Sequence, residues 1–233
     1  MIGEPRTHVA ECESTQLLLG QDDPEGAIAT ADHQTAGRGR LGRDWIEAPG
    51  TSVIVSVLLR PPPERRAHEL SLVAAVAVAL ALDETTGRGD TQLKWPNDVL
   101  LDGRKVAGIL AELKGGAVVL GIGINVNQTA GELPEGTKLE AASLRTLDGV
   151  VRDREAVLEI LLRRLDRVYG DWRTDGLTAL HPELTARDFL RGLSIRAGEA
   201  SGVAAGIDPA GRLQVETTTG LVLVESGEVL LEP

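Results

Sequence analysis

A glycine- and arginine-rich stretch, Gly37–Trp45, has the composition of a phosphate-binding loop. Its sequence is GRGRLGRDW, so that Arg38, Arg40 and Arg43 alternate with glycines such as Gly39. Glycine lets a backbone approach a ligand closely, and a guanidinium group carries forked N–H donors that match phosphate oxygens. The stretch therefore predicts a flexible loop that binds an oligophosphate, with the tryptophan at its end stacked on a base. The alternative is an exposed loop whose arginines pair with the protein's many carboxylates.

The same stretch contains the pattern G-x-G-x-x-G, which is typical of dinucleotide-binding folds. That interpretation requires a helix to begin at the third glycine. Pro49 and Gly50 follow shortly afterwards and exclude a helix of useful length. The other common phosphate-binding pattern, G-x-x-x-x-G-K, is absent from the sequence. Neither of these nucleotide-binding folds is predicted.

Two further groups of polar residues and glycines follow. Lys94-Trp95-Pro96-Asn97-Asp98 ends a predicted strand, and Lys105 lies across the next hairpin. The alternative for this group is a hairpin in which Asn and Asp cap the turn. Gly108 and Gly121 lie in predicted strands, where a missing side chain leaves room for a flat ligand. Asn125 directly follows the last of these strands and can recognise an amide or an adenine edge.

The hydrophobic pattern predicts the elements that must position these groups. Ser14 is the predicted N-cap of a short helix. Predicted strands cover 27–31, 51–59, 91–95, 99–101, 105–113 and 117–124, and predicted helices cover 65–85 and the amphipathic segment around 157–172. After residue 187 the sequence pattern changes to five short predicted strands, which fit a small barrel. A barrel of this size has a small core, so we expect it to pack against the larger part of the chain. The predicted domains are therefore 1–187 and 188–233.

Composition excludes several classes of protein. A net charge of −11 argues against a general nucleic-acid binder, because neutralising phosphates needs a basic surface. Cys12 is the single cysteine, so no internal disulfide can form and a reducing compartment is expected. The first ten residues lack the apolar segment of a secretory signal, and the apolar run 70–82 is too short to span a bilayer. We expect a cytoplasmic protein without a membrane partner.

Lysine is rare in this chain. Of the 24 basic residues only Lys94, Lys105, Lys114 and Lys138 are lysines, and the first two lie in the groups described above. Where arginine is the usual cation, each lysine suggests that a compact ammonium group is needed at that position. Chance is the alternative.

The blocks GRGRLGRDW, KWPNDVL, RKVAGILAE and GIGINVN, in this order, resemble the signature of the biotin protein ligases. The resemblance extends from about Cys12 to Asn127 and is looser beyond. It implies an α/β (α+β) fold: a mixed sheet with helices on one side, like the catalytic core of class II aminoacyl-tRNA synthetases, followed by an SH3-like barrel. Lipoate ligases and octanoyltransferases share this fold, so a lipoate or octanoyl protein ligase or transferase is one alternative. A non-enzymatic biotin- or nucleotide-binding module is another.

The resemblance also implies roles for individual residues. Lys105, Arg40 and Arg38 match the catalytic positions, where cations hold the reacting carboxylate and the phosphates, and Lys94 and Asp98 match supporting positions. Gln16 stands where the family has an asparagine. The implied biotin-binding residues are Ser14, Thr15, Gln16, Gln34, Gly37, Arg38, Gly39, Arg40, Lys105, Gly108 and Gly121. The implied residues for ATP and the adenylate are Arg38, Arg40, Arg43, Trp45, Asn97, Lys105 and Asn125.

The implied reaction joins biotin to ATP to give biotinyl-5'-AMP and pyrophosphate, and then transfers biotin to a lysine of a biotin carboxyl carrier protein. Mg²⁺ is expected on the phosphates, near Asp98 and without a protein cage. Many members of the family begin with a DNA-binding helix-turn-helix domain. Here the first motif starts at Cys12, which leaves no room for such a domain. We therefore expect a monofunctional enzyme with no DNA partner.

Overall fold

The computed structural model describes residues 1–232, and its centre is a seven-stranded mixed sheet. The strand order is β1-β2-β3-β7-β6-β5-β4, in which β1 and β2 are parallel and the other neighbours antiparallel. The strands are β1 (Arg6–Cys12), β2 (Ile28–Gln34), β3 (Ser52–Leu59), β4 (Gln92–Lys94), β5 (Asp98–Leu101), β6 (Arg104–Lys114) and β7 (Ala117–Asn125).

Helices cover one face of this sheet. They are α1 (Leu70–Thr86), α2 (Leu144–Asp148), α3 (Arg154–Asp175) and α4 (His181–Ala186). Helix α1 contacts both the sheet and α3, so its Ala, Val and Leu side chains are buried almost all round. Helix α3 buries the predicted apolar face from Val157 to Trp172. The predicted mixed sheet with helices on one side is confirmed.

The alternation of side chains along the strands decides what the opposite face presents. Val55 of β3 and Ile122 and Ile124 of β7 belong to the apolar core shared with the helices. Because successive side chains point to opposite faces of a strand, Gly121 and Gly123 face away from the helices. In the register of the sheet Gly123 lies between Ile54 and Gly108, and Gly121 lies between Ser56 and Leu110. Four small residues from three adjacent strands therefore share this second face: Ser56, Gly108, Gly121 and Gly123.

The C-terminal residues form a separate antiparallel sheet with the order β11-β10-β9-β8-β12. Its buried residues Leu213, Val215 and Val229 belong to the same apolar core as the main sheet. The indole Nε1 of Trp95 donates to the carbonyl of Gly211 at 3.0 Å across the junction. The predicted C-terminal strands are confirmed as β8 (Ser194–Ala197), β9 (Ala200–Ile207), β10 (Leu213–Thr217), β11 (Gly220–Val224) and β12 (Val229–Leu231).

The sequence pattern did not predict three of these elements. Strand β1 has exposed side chains and lies at the sheet edge, so no apolar alternation marks it. The short helices α2 and α4 were also missed. Residues Thr15–Leu17 form only one 3-10 turn after Ser14, whose side chain makes no capping bond. Among residues 1–232, no helix is both long enough and apolar enough to cross a membrane.

Candidate functional site

A cleft with a volume of about 400 Å³ opens on the sheet face opposite the helices. Its floor is the row of small residues described above. A Cβ atom on Gly121 would lie 2.9 Å from Nε2 of Gln16, and one on Gly123 would lie 2.5 Å from the indole ring of Trp45. A Cβ atom on Gly108 would lie 3.0 Å from the same ring. The floor is therefore made of glycine because side chains from outside the sheet approach it closely.

One end of the cleft is formed by several buried, uncharged polar residues. Thr15 donates from its backbone N–H and its hydroxyl to Oε1 of Gln34, at 2.8 and 3.2 Å, and its hydroxyl lies 2.8 Å from that of Ser56. Gln16 is 2% exposed and donates from Nε2 to the carbonyl of Leu110 at 3.1 Å. Its Oε1 atom is buried and accepts no hydrogen bond from the described residues. An unpaired buried acceptor costs free energy, so this end of the cleft favours a ligand with an N–H donor.

The arginine-rich stretch closes over the floor as a compact loop. Trp45 donates from its backbone N–H to the carbonyl of Gly37 at 2.9 Å, and Gly39 donates to the carbonyl of Arg43 at 2.7 Å. At the tip Leu41 has a φ of 59°, in the left-handed region. The buried Nε1 of Trp45 has no acceptor within the described part of the chain. The tryptophan therefore lies against the glycine floor with a donor available to a ligand.

Lys105 and Asp98 form the next group along the floor. Nζ of Lys105 lies 2.7 Å from Oδ1 of Asp98 and 5.9 Å from the centre of the Trp45 ring. The backbone of Lys105 is held between two residues of the following loop, because its N–H donates to Glu140 and its carbonyl accepts from Ala142, each at 2.8 Å. An ammonium group at a fixed place beside the glycine floor can bind an anion that lies along it.

Arg40 connects this group to the C-terminal sheet. Its Nη1 donates to Oδ1 of Asn97 at 3.0 Å, and its Nη2 lies 3.5 Å from the carbonyl of Gly227. Asn97 is itself fixed, since its Nδ2 donates to the carbonyl of Ile109 at 3.0 Å. Burial lowers the pKa of Arg40, although a guanidinium group remains charged at any physiological pH.

The far end of the cleft is formed by the tip of the C-terminal sheet. Glu228 accepts from Arg43 and also from Nζ of Lys138, the latter at 2.5 Å. Hydrogen bonding from Lys138 is the main cause that lowers the pKa of Glu228. Lys94 is nearly buried, donates from Nζ to the carbonyl of Val229 at 3.0 Å, and has a pKa lowered by burial.

The cleft is positively charged although the whole chain is acidic. Six cationic and three carboxylate side chains line it, in a protein with a net charge of −11. Such a local excess attracts anionic ligands. The cations are Arg38, Arg40, Arg43, Lys94, Lys105 and Lys138, and the carboxylates are Asp44, Asp98 and Glu228.

Nearly every site residue predicted from the sequence lines this one cleft. Gly37 does not, and serves the base of the loop instead, where a Cβ atom would lie 2.4 Å from the carbonyl oxygen of Trp45. Arg38 is half exposed and its Nη1 donates to Glu112 at 3.1 Å. Asn125 is buried with both polar atoms engaged, since Nδ2 donates to the carbonyl of Ala142 and Oδ1 accepts from Gln128, each at 3.0 Å. The others are Ser14, Thr15, Gln16, Gln34, Gly39, Arg40, Arg43, Trp45, Lys94, Asn97, Asp98, Lys105, Gly108 and Gly121.

Two wall segments were not predicted. They are the tip of the C-terminal sheet, 227–229, and parts of the loop 134–141. The rarity of lysine was the one sequence signal for Lys138. No group of three or more His, Cys, Asp or Glu side chains within residues 1–232 is arranged to hold a metal ion.

Comparisons with known proteins identify the family of the chain. The sequence profile of the biotin/lipoate A/B protein ligase family matches residues 10–128, and that of the biotin protein ligase C-terminal domain matches residues 191–231. The chain is 38% identical to the bifunctional ligase/repressor BirA of Bacillus subtilis strain 168, over 92% of this chain and 69% of that protein. It is 34% identical to the biotin–[acetyl-CoA-carboxylase] ligase of Paracoccus denitrificans, over 96% of this chain and 97% of that protein.

The fold agrees as well. A biotin protein ligase from Aquifex aeolicus, solved in complex with biotin and ATP, superposes with a TM-score of 0.89 at 32% identity over 99% of each chain. This similarity confirms the predicted class II synthetase-like core with its C-terminal all-β part. The chain therefore belongs to the biotin protein ligases of the biotin/lipoate A/B protein ligase family.

Proposed function

We propose that this chain is a biotin protein ligase that makes biotinyl-5'-AMP from biotin and ATP and then transfers biotin to a lysine of a carrier protein. The observation that carries the proposal is the order of groups along the cleft. An uncharged polar end with an unpaired acceptor leads over a glycine floor to Lys105, and from there through Arg40 to a cluster of cations. A molecule with a ureido ring at one end and a carboxylate at the other fits this order.

The polar end suits the ureido ring of biotin. Oε1 of Gln16 is the unpaired acceptor that a ureido N–H would satisfy. The hydroxyl group of Ser14 can donate to the ureido oxygen, and that of Thr15 can do so by turning away from Gln34. The flat fused ring would lie beside Gln16, for whose side chain Gly121 leaves room. Gln34 would act by holding Thr15, to which it is bonded at 2.8 Å.

The charged end suits the first chemical step. The biotin carboxylate attacks the α-phosphorus of ATP, an acyl–phosphate bond forms, and pyrophosphate leaves. Two anions must approach each other, so preorganised cations lower the barrier by offsetting their repulsion. Lys105 would hold the carboxylate and the α-phosphate, Arg38 and Arg40 would close over them, and Arg43 would bind further phosphate oxygens. Trp45 and Asn97 would contact the adenylate. Asn125 would act near adenine by fixing the loop at Ala142.

The second step transfers the biotinyl group to an amine. A lysine of the carrier attacks the acyl carbon of the mixed anhydride, and AMP leaves. The anhydride is already activated, so no protein nucleophile is needed, but it must be kept from water. The closed loop over the glycine floor would exclude water until the carrier docks.

Mg²⁺ would bind mainly to the phosphates of ATP. Magnesium usually keeps several waters and uses one or two carboxylates together with substrate phosphates, so the single carboxylate of Asp98 beside Lys105 fits it. When bound, the ion would neutralise phosphate charge. Lys94, fixed on Val229, would support the same region.

We further propose the division of the chain and its setting. Residues 1–187 would form the catalytic domain and residues 188–233 the C-terminal SH3-like domain, in agreement with a boundary between α4 and β8. The acceptor would be the biotin carboxyl carrier protein of a biotin-dependent carboxylase, and the enzyme would act in the cytoplasm.

Mass spectrometry of a carrier domain tests this function. After incubation with this protein, biotin, ATP and Mg²⁺, the carrier should gain the mass of one biotinyl group. A carrier whose acceptor lysine is replaced by arginine should gain nothing, and neither should a sample without ATP. Lipoate, supplied in place of biotin, should not be attached. Attachment of lipoate with no attachment of biotin would refute the proposal.

A further inference from the structure

Two cations from different segments converge on one carboxylate at the far end of the cleft. Arg43 belongs to the arginine-rich loop, Lys138 to the loop 134–141, and Glu228 to the turn before β12. Both cations contact the carboxylate of Glu228. Arg43 contacts its Oε1 atom and Lys138 contacts its Oε2 atom. The carboxylate thereby brings together three parts of the chain that are far apart in sequence.

The position of this cluster follows from a chain of contacts. Lys105, which would hold the reacting carboxylate, is paired with Asp98, and the neighbouring Asn97 is bonded to Arg40 at 3.0 Å. Arg40 reaches on to the carbonyl of Gly227 at 3.5 Å, next to Glu228. The cluster thus lies beyond Arg40 as seen from Lys105. If biotin approaches the α-phosphate from the Lys105 side, the leaving pyrophosphate must lie on the opposite side, since attacking and leaving oxygens are roughly in line.

The chemistry of the cluster matches that leaving group. A carboxylate that accepts from two cations through its two oxygens presents the same contacts that a phosphate group would, with less charge. Pyrophosphate carries more negative charge and more oxygens, so it can displace a carboxylate from both cations. The side chains of Arg43 and Lys138 are about half exposed, at 53% and 57%, so they are free to turn toward a ligand.

Resting on the function proposed above, we propose that Lys138, together with Arg43, binds the pyrophosphate end of ATP. Glu228 holds the two cations at this place and is displaced from them by phosphate. Lys138 is thus a substrate-binding residue, and Glu228 is a positioning residue that competes with the substrate.

The test uses biotin-dependent exchange of labelled pyrophosphate into ATP, which runs the first step in both directions. In the reverse direction a pyrophosphate oxygen attacks the α-phosphorus of biotinyl-AMP, ATP forms, and biotin carboxylate leaves. The measured quantities are the KM values for pyrophosphate, ATP and biotin. The rate of transfer from supplied biotinyl-AMP to the carrier is measured separately, because pyrophosphate takes no part in it.

Lys138→Met should raise the KM for pyrophosphate and for ATP about tenfold, the effect of losing one charge-assisted hydrogen bond. The KM for biotin and the transfer rate should not change. Glu228→Gln should lower the KM for pyrophosphate, because pyrophosphate then no longer competes with a carboxylate for the two cations. Arg196→Met and Glu232→Gln are matched controls, since this pair of the C-terminal sheet, 3.6 Å apart, lies outside the cleft. Both control variants should retain the parent values.

An unchanged KM for pyrophosphate in Lys138→Met would overturn the inference. Equal losses in pyrophosphate binding, biotin binding and transfer would also overturn it, because they would reveal a general structural role. A raised KM for pyrophosphate in Glu228→Gln would refute the competing role of Glu228. None of these results would contradict the proposed function, as long as the parent protein makes biotinyl-AMP. A parent that makes none would refute that function, and this inference with it.

Discussion

A single methyl group added to the floor of the cleft tests how the arginine-rich loop closes. In Gly123→Ala the new Cβ atom would lie 2.5 Å from Cε2 and Cζ2 of Trp45. Favourable contacts between non-bonded carbon atoms lie at about 3.5–4.0 Å, so the indole must retreat by about 1 Å or more. The backbone of Gly123 is in a β-strand that alanine can adopt, so the strand itself should form normally.

The added methyl group should destabilise the closed state of the loop. Overpacking of a well-fitted contact costs about 1–3 kcal/mol. If Trp45 must lie on the floor when the loop closes over biotinyl-AMP, that cost weakens binding by roughly 5- to 150-fold. The free energy of unfolding should change little, because the methyl group meets a partly exposed loop side chain and none of the core.

Tryptophan fluorescence and calorimetry provide the assay. Trp95 and Trp172 are buried, so a change at Trp45 should be visible as a red shift of emission in the variant. Titration with biotinyl-AMP then gives the dissociation constant. Gly170→Ala is the control, because a Cβ atom there meets nothing within 4 Å and should leave the affinity unchanged. Parent-like affinity and parent-like emission in Gly123→Ala would refute the role of the glycine floor in loop closure.

Three other predictions concern Lys105, the arginine-rich loop and Glu47. Lys105→Ala should raise the barrier to adenylate formation by about 2.7–4 kcal/mol, measured as pyrophosphate release, and near-normal release would exclude its role. The loop 35–45 must open to admit substrates, so trypsin should cleave it rapidly in the free protein and slowly with biotinyl-AMP bound, whereas equal rates would contradict loop closure. Burial raises the pKa of Glu47, so the parent loses stability as pH rises through that pKa. Glu47→Gln keeps an acceptor for the N–H of Gln34 and does not titrate, so its gain in Tm over the parent should grow as the pH rises above the ordinary pKa of a glutamate, about 4.3. A constant difference would argue against a raised pKa.

Elements with a strong local pattern were predictable from the sequence. The predicted strand 51–59 is observed as Ser52–Leu59, and the predicted strand 117–124 as Ala117–Asn125. Both are apolar runs rich in β-branched residues, flanked by glycine or proline. Helix α1 begins five residues later than the predicted 65, because a 3-10 turn precedes it.

Strand β1 shows where local pattern fails. Its side chains are mostly exposed, so burial imposes no alternation on its sequence. It exists because its backbone pairs in parallel with β2, from Arg6 opposite Ile28 to Cys12 opposite Gln34. This pairing delivers the chain to Ser14 at the edge of the cleft, yet nothing in residues 6–12 alone indicates it.

Much of the candidate site was predictable for the same reason as the sheet. The period of two in a strand places Gly121, Gly123 and Asn125 on one face, opposite the apolar residues between them. The hairpin between β5 and β6 then brings Lys105 within 2.7 Å of Asp98. Such contacts join residues close in sequence or in adjacent strands, which motifs can encode.

The C-terminal wall of the cleft depends on packing that no motif encodes. Glu228 meets Arg43 across 185 residues of sequence, and Lys94 reaches Val229 across 135. These contacts require that the C-terminal sheet first dock on the main sheet, where Trp95 is 2% exposed and bonded to Gly211. Without that sheet Lys94 and Trp95 would lose their buried acceptors, and Arg43 and Lys138 would have no common carboxylate. The motif residues 94–98 therefore serve two purposes at once, since Asn97 and Asp98 face the cleft while Lys94 and Trp95 fasten the sheet that completes it.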